Sequence, residues 1–144
     1  MISQVTVFLE NAEGRLAALT KVMADAQVNM KALSIAETAE YGVIRIICAD
    51  PDKATEALNA AGYRVMKTPV SAISITDTAG GLATLMAIFD DVDVNVQYGY
   101  CFSESNQAIA VMKIPAAESV AIAEKVAAAG FKVLSQTDLG YGAH

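Results

Sequence analysis

Two short stretches carry most of the chemistry this chain can offer: "NAEGRLAAL" from residue 11 and "DTAGGLATL" from residue 77. In each, a glycine, Gly14 or Gly80, opens an apolar helical pattern after a strand-like run. The first N–H groups of such a helix lack intrahelical acceptors and carry the positive end of its dipole, which favours an anion. Glycine lets the main chain take a conformation other residues resist and lets a ligand come close. Asn11 precedes the first glycine and Asn29 opens the next strand-like run; Asp77 and Asn95 hold those places in the second stretch. An Asn amide accepts from an ammonium and donates to a carboxylate, whereas an Asp suits only the ammonium. All four are expected beside the helix starts. Their structural alternative is service as turn formers and caps.

Other chemistries find little support. The single histidine, His144, is the last residue, and there is no Ser-His, Cys-His or ligand-spaced metal cluster. No cofactor is expected. Two cysteines, Cys48 and Cys101, each lie in an apolar run and are expected to be free buried thiols. The 10 Lys and Arg are scattered against 16 Asp and Glu, a formal net charge of -6, which disfavours nucleic acid. The beginning "MISQVTVFLE" has no signal-peptide pattern and no apolar run is long enough to span a bilayer, so a cytoplasmic protein without a membrane partner is expected.

The elements that must position these residues occur twice. At an offset of 66, Gly14 falls on Gly80, Leu16 on Leu82, Leu19 on Leu85, Val28 on Val94 and Asn29 on Asn95. "AAGYRVM" and "AAGFKVL" align at an offset of 68, and Pro51 and Pro115 at 64, which reads as a shorter hairpin and a longer second helix in the second copy. Alternation at Val5, Val7 and Leu9, and at Ile73 and Ile75, predicts a strand before each glycine turn. Leu16, Leu19 and Met23, and Leu82, Leu85 and Phe89, predict the helix after it. A hairpin follows near "AEYG" or "SESN". Asp50-Pro51 and Gly62 then frame a helix, as Pro115 and Gly130 do in the second copy, and "YRVMK" or "FKVLSQT" closes each copy as a strand.

The order is β-α-β-β-α-β twice, an α+β chain of two ferredoxin-like units with antiparallel sheets and helices on one face. The expected domains are 1–69 and 70–138, with 139–144 as a C-terminal tail. "TPVSA" leaves so little linker that the copies are expected to dock rigidly. Each copy is near the lower size limit for its own core, and exposed sheet edges or faces predict a homodimer.

A strand ending in "EN", then "GRL" opening an apolar helix, then "VN" opening the second strand, resembles the ACT domain. Nearly the whole chain, residues 2 to 138, is similar to a stand-alone tandem ACT protein of bacteria. The resemblance implies a regulatory module without catalytic residues that binds a small molecule, most often an amino acid, where the first loop of one unit meets the second strand of another. Carried onto this sequence, it nominates Asn11, Ala12, Glu13, Gly14, Arg15 and Leu16, and in the second copy Asp77, Thr78, Ala79, Gly80, Gly81 and Leu82. Asn29 to Ile35 and Asn95 to Cys101 would face them. Glu13 and Ala79 stand where the family commonly has a proline, and Leu9 stands where serine-sensing members carry a histidine, which argues against serine. The pair Gly80-Gly81 is expected to loosen the second turn, so that the copies differ in affinity.

Occupancy would pass to a partner enzyme. Two alternatives compete with this reading: a protein-protein docking module without a live ligand site, and an acylphosphatase-like hydrolase built on Arg15 and Asn29, whose arginine is replaced by Gly81 in the second copy.

Overall fold

In a computed structural model, which describes residues 1–10, 12–37, 41–104 and 106–140, the chain forms seven strands and four helices. It divides into two compact units, residues 3–68 with the segment from Gln136, and residues 1–2 with 69–135.

In the first unit, strand β1 (Ile2–Glu10) leads into helix α1 (Arg15–Asp25), then the hairpin of β2 (Met30–Glu37) and β3 (Tyr41–Cys48), helix α2 (Pro51–Ala60) and β4 (Arg64–Ile75). The alternation in β1 places Val5, Val7 and Leu9 against Leu19 and Met23 of α1 and Leu58 of α2, so both helices cover one sheet face. The order across the sheet is β2-β3-β1-β4, which is the ferredoxin-like arrangement. Asp50 caps α2 by accepting from the Lys53 N–H at 3.1 Å with Pro51 at the first position, and Gly62 at φ 90° ends it.

The second unit repeats the plan with helix α3 (Gly81–Asp91), strands β5 (Tyr98–Glu104) and β6 (Gln107–Lys113), helix α4 (Ser119–Ala128) and the short β7 (Lys132–Val133). Its sheet runs β5-β6-β4-β7, and Ile73, Ile75, Leu85, Phe89, Ile122 and Val126 form its core.

Three details differ from the sequence reading. The strand closing the first copy and the strand opening the second are one, β4, unbroken through Pro69. The hairpins have equal length, because Leu9↔Gly42 and Glu37↔Gly42 become Ile75↔Ala108 and Ser103↔Ala108 at the same offset of 66. The shortening therefore falls after the hairpin, between β6 and Pro115, and a 3₁₀ turn at Ala116–Glu118 precedes α4. Lastly, the segment from Gln136 packs with the first unit. The Gln136 amide accepts from the Ser3 N–H at 3.1 Å and donates to the Cys48 carbonyl at 3.1 Å, and Leu139 is buried.

Candidate functional site

The glycine turn is built alike in both copies. Gly14 and Gly80 hold φ 80° and 90°, a left-handed conformation that favours glycine, and neither helix start has a side-chain cap. The Arg15 N–H is spent on the Ala12 carbonyl at 3.3 Å, and the helical ladder begins with Ala18 N–H to Gly14 O at 3.1 Å. That sequence of bonds leaves the N–H groups of Leu16 and Ala17 without intrahelical acceptors. In the second copy Gly81 N–H bonds Thr78 O at 3.1 Å and Thr84 N–H bonds Gly80 O at 3.0 Å, so Leu82 and Ala83 are placed in the same way.

Beside the first turn lies a cleft of about 120 Å³. Its apolar wall comes from four elements: Leu9 of β1, Leu16 of α1, Ile35 of β2 and Ile44 of β3. Cross-strand register makes this wall, since Ile35 pairs with Ile44 and Leu9 with Gly42. The rim is charged, with Glu10, Arg15 and Glu37 around it. Arg15 donates to Glu10 at 3.2 Å, an exposed ion pair that solvent screens. Leu16 and Ile35 remain 37% and 46% exposed, unusual for large aliphatic residues of an amphipathic helix and an inner strand row, which leaves apolar surface available at this end.

Of the residues expected to form the site, Ala12, Arg15 and Leu16 line the cleft, and Gly14 shapes the turn beside it. Glu13 is exposed in the same turn. Asn11 lies outside the described residues. Thr78, Ala79, Gly80 and Leu82 form the matching turn of the second copy, all exposed. Asp77 instead lines a polar hollow with Asn106, Gln107 and Lys132.

Asn29 does not stand beside the helix start of its own copy. It precedes Met30, which pairs with Cys48 at one end of the sheet, whereas Glu10 pairs with Tyr41 at the other. The length of β2, roughly 25 Å at strand rise, separates them. Asn95 likewise lies at the Tyr98↔Lys113 end, away from Gly80. The same separation removes any pairing of Arg15 with Asn29 within one copy, which an acylphosphatase-like site requires.

Gly81 has a different role from the expected loosening of the turn. A Cβ on it would overlap the Thr76 carbonyl oxygen, so strand end and helix start are in contact there. The first copy carries the full side chain of Arg15 at that place. Cys101 also departs from expectation. Cys48 is a buried free thiol, its pKa pushed up to about 11 chiefly by desolvation, but Cys101 is exposed on β5.

Sequence reasoning missed Glu10, Glu37, Gly42 and Ile44 as cleft residues and named Ile35 only as the end of a strand facing the turn. The offset that revealed the repeat also carries the signal, because Glu10, Arg15 and Glu37 correspond to Thr76, Gly81 and Ser103.

Among the described residues no group of three or more His, Cys, Asp or Glu could hold a metal ion. No helix among them is long and apolar enough to cross a membrane.

The model of the ACT domain pair matches residues 1–138. The chain belongs to the ACT domain pair family. Among solved structures, protein BT0572 from Bacteroides thetaiotaomicron is similar at 34% identity and TM-score 0.87, over 96% of this chain and 94% of that one. The ligand-free regulatory subunit of aspartate kinase from Thermus thermophilus shares the fold at 18% identity and TM-score 0.65, over 88% and 91% of the two chains. The corresponding subunit from Thermus flavus aligns at 17% identity and TM-score 0.61, over 89% and 92%. A search of curated proteins finds no match. As an ACT domain pair, the chain has the character of a regulatory module.

Proposed function

We propose that this ACT domain pair is an amino-acid-binding regulatory protein of the cytoplasm that passes occupancy to a partner enzyme. The observation that carries the reading is the convergence at one cleft of an uncapped helix start, a guanidinium, two carboxylates and an apolar wall. A helix start and an arginine suit a ligand carboxylate, and Glu10 and Glu37 suit its ammonium. In this reading the ligand is held where two ACT units meet, with Asn29 or Asn95 of an apposed unit adding an amide, and the working form is a homodimer. A ligand that contacts two units favours one docking geometry over others, and that difference in affinity is the signal a partner reads.

The test is calorimetric titration of the full chain with the twenty amino acids, in pools and then singly. Saturable heat from one of them that is lost in Gly14→Val or Gly80→Val, with circular dichroism unchanged, supports the reading. Silence across the panel overturns it in favour of a docking module.

A further inference from the structure

We infer that the cleft of the first copy selects an aliphatic amino acid of the valine, leucine and isoleucine class, and that the corresponding place in the second copy does not bind it. This rests on the amino-acid reading above and adds the ligand class and the copy that holds it.

Size and polarity set the class. The cleft measures about 120 Å³, somewhat below the ~150 Å³ of an apolar cavity that accepts benzene. It therefore suits a branched aliphatic side chain. Leu9, Leu16, Ile35 and Ile44 offer that side chain no hydrogen-bonding partner, so a serine hydroxyl or a second carboxylate entering the cleft would lose its water uncompensated. The charged groups Glu10, Arg15 and Glu37 line the solvent-exposed side of the same cleft. The Arg15 fork bonds Glu10 through one Nη and has further donors for a carboxylate, while Glu10 and Glu37 supply acceptors for an ammonium. Because the Arg15–Glu10 pair is exposed, its rearrangement around a zwitterion costs little.

The second copy keeps aliphatic residues, Ile75 and Leu82, in place of Leu9 and Leu16 but lacks the other parts of this arrangement. At the offset of 66, Ile35 becomes Cys101, Ile44 becomes Ala110, and the three rim charges become Thr76, Gly81 and Ser103. The Met112 sulfur fills the space over Gly99, where the first copy carries Leu33, and the Thr76 carbonyl closes on Gly81. Half of the aliphatic wall and all three of the rim charges are therefore replaced.

The experiment is calorimetry on the full chain with L-valine, L-leucine and L-isoleucine against glycine, L-serine, L-aspartate and L-lysine. 4-Methylpentanoate and isoamylamine report on the two head groups. One aliphatic amino acid should bind at one per chain and at least tenfold tighter than any polar one, and neither head-group probe should match it. Arg15→Ala and Ile35→Asp should each weaken it at least tenfold with unchanged circular dichroism; Leu16→Ser, on an exposed helix position, replaces Ile35→Asp should that variant not fold. Tighter binding of a polar amino acid overturns the ligand class and leaves the amino-acid reading standing. Two equivalents per chain overturn the restriction to the first copy. No heat from any amino acid overturns both.

Discussion

Arg15 and Gly81 occupy one place in two copies of the same unit, and the surroundings of each explain the residue found there. The backbone is shared closely: left-handed glycines at φ 80° and 90°, the same turn hydrogen bonds, and strand registers related by one offset. What diverges is the side chains on the inner row of the edge strand and at the strand and helix ends. Leu33, Ile35 and Glu37 on β2 become Gly99, Cys101 and Ser103 on β5. Both copies thus keep the uncapped helix start, and the first surrounds it with an apolar cleft and three charged residues, at whose places the second has Thr76, Gly81 and Ser103. A helix N-terminus alone attracts anions without choosing among them, so selectivity must come from the side chains that differ.

Exchanging the two residues breaks the comparison most directly. Gly81→Arg forces a Cβ into the Thr76 carbonyl, and overpacking against backbone is expected to cost about 3 kcal/mol in urea unfolding. Arg15→Gly removes an exposed side chain from a helix start and is expected to cost at most about 1 kcal/mol. Equal losses would mean that the two helix starts are packed alike after all.

The cysteines extend the contrast from the site to the cores. Cys48 is buried and its pKa is raised from 9 to about 11, so the folded state disfavours the thiolate. The resulting stabilisation is complete below pH 9 and lost as the pH rises through about 11, and it amounts to about 3 kcal/mol. Wild-type unfolding free energy should therefore fall over that window by this amount more than that of Cys48→Ala. In the native protein at neutral pH, Cys101 should react with a thiol reagent while Cys48 reacts only on unfolding. A native Cys48 that reacts at the rate of Cys101 would show that the first core opens at this point.

Gly14→Val and Gly80→Val sharpen the comparison from the opposite side, because here the copies should agree. Nothing lies near a Cβ at either glycine, so the cost is backbone strain alone, about 1–2 kcal/mol in each. A large difference between them would show that one turn is held by contacts the other lacks.

Most of this organisation was legible in the residues. Strand alternation, helix spacing and the shared offset identify both units, because each depends on local periodicity. The continuity of β4 was not legible, since Pro69 reads as a breaker, and only pairing partners show that the strand passes through it. Asn29 was placed at the wrong end because α1 runs back along the sheet, so the residue that follows it is carried away from Gly14. The cleft wall needed the β2–β3 register, which brings Ile35 opposite Ile44; neither residue is unusual in its own strand. Charge divergence between aligned copies is the signal a sequence reader could have used.

The smallest effect expected is the most informative about why the rim is charged. Arg15 and Glu10 make a 3.2 Å ion pair with side chains 52% and 70% exposed, and such pairs contribute about 0–0.5 kcal/mol after screening and side-chain entropy. Arg15→Ala, Glu10→Gln and the double variant should thus unfold within about 0.5 kcal/mol of the wild type, with a coupling near zero in a double-mutant cycle. A coupling of 2 kcal/mol, to use the scale of about 1.5–3 kcal/mol for bonds to charged groups, would make the pair a structural clamp. Near-zero coupling assigns the charges to something other than folding: they surround an apolar cleft in the first copy, at a helix start whose backbone both copies share, and the second copy has none of the three at the matching places.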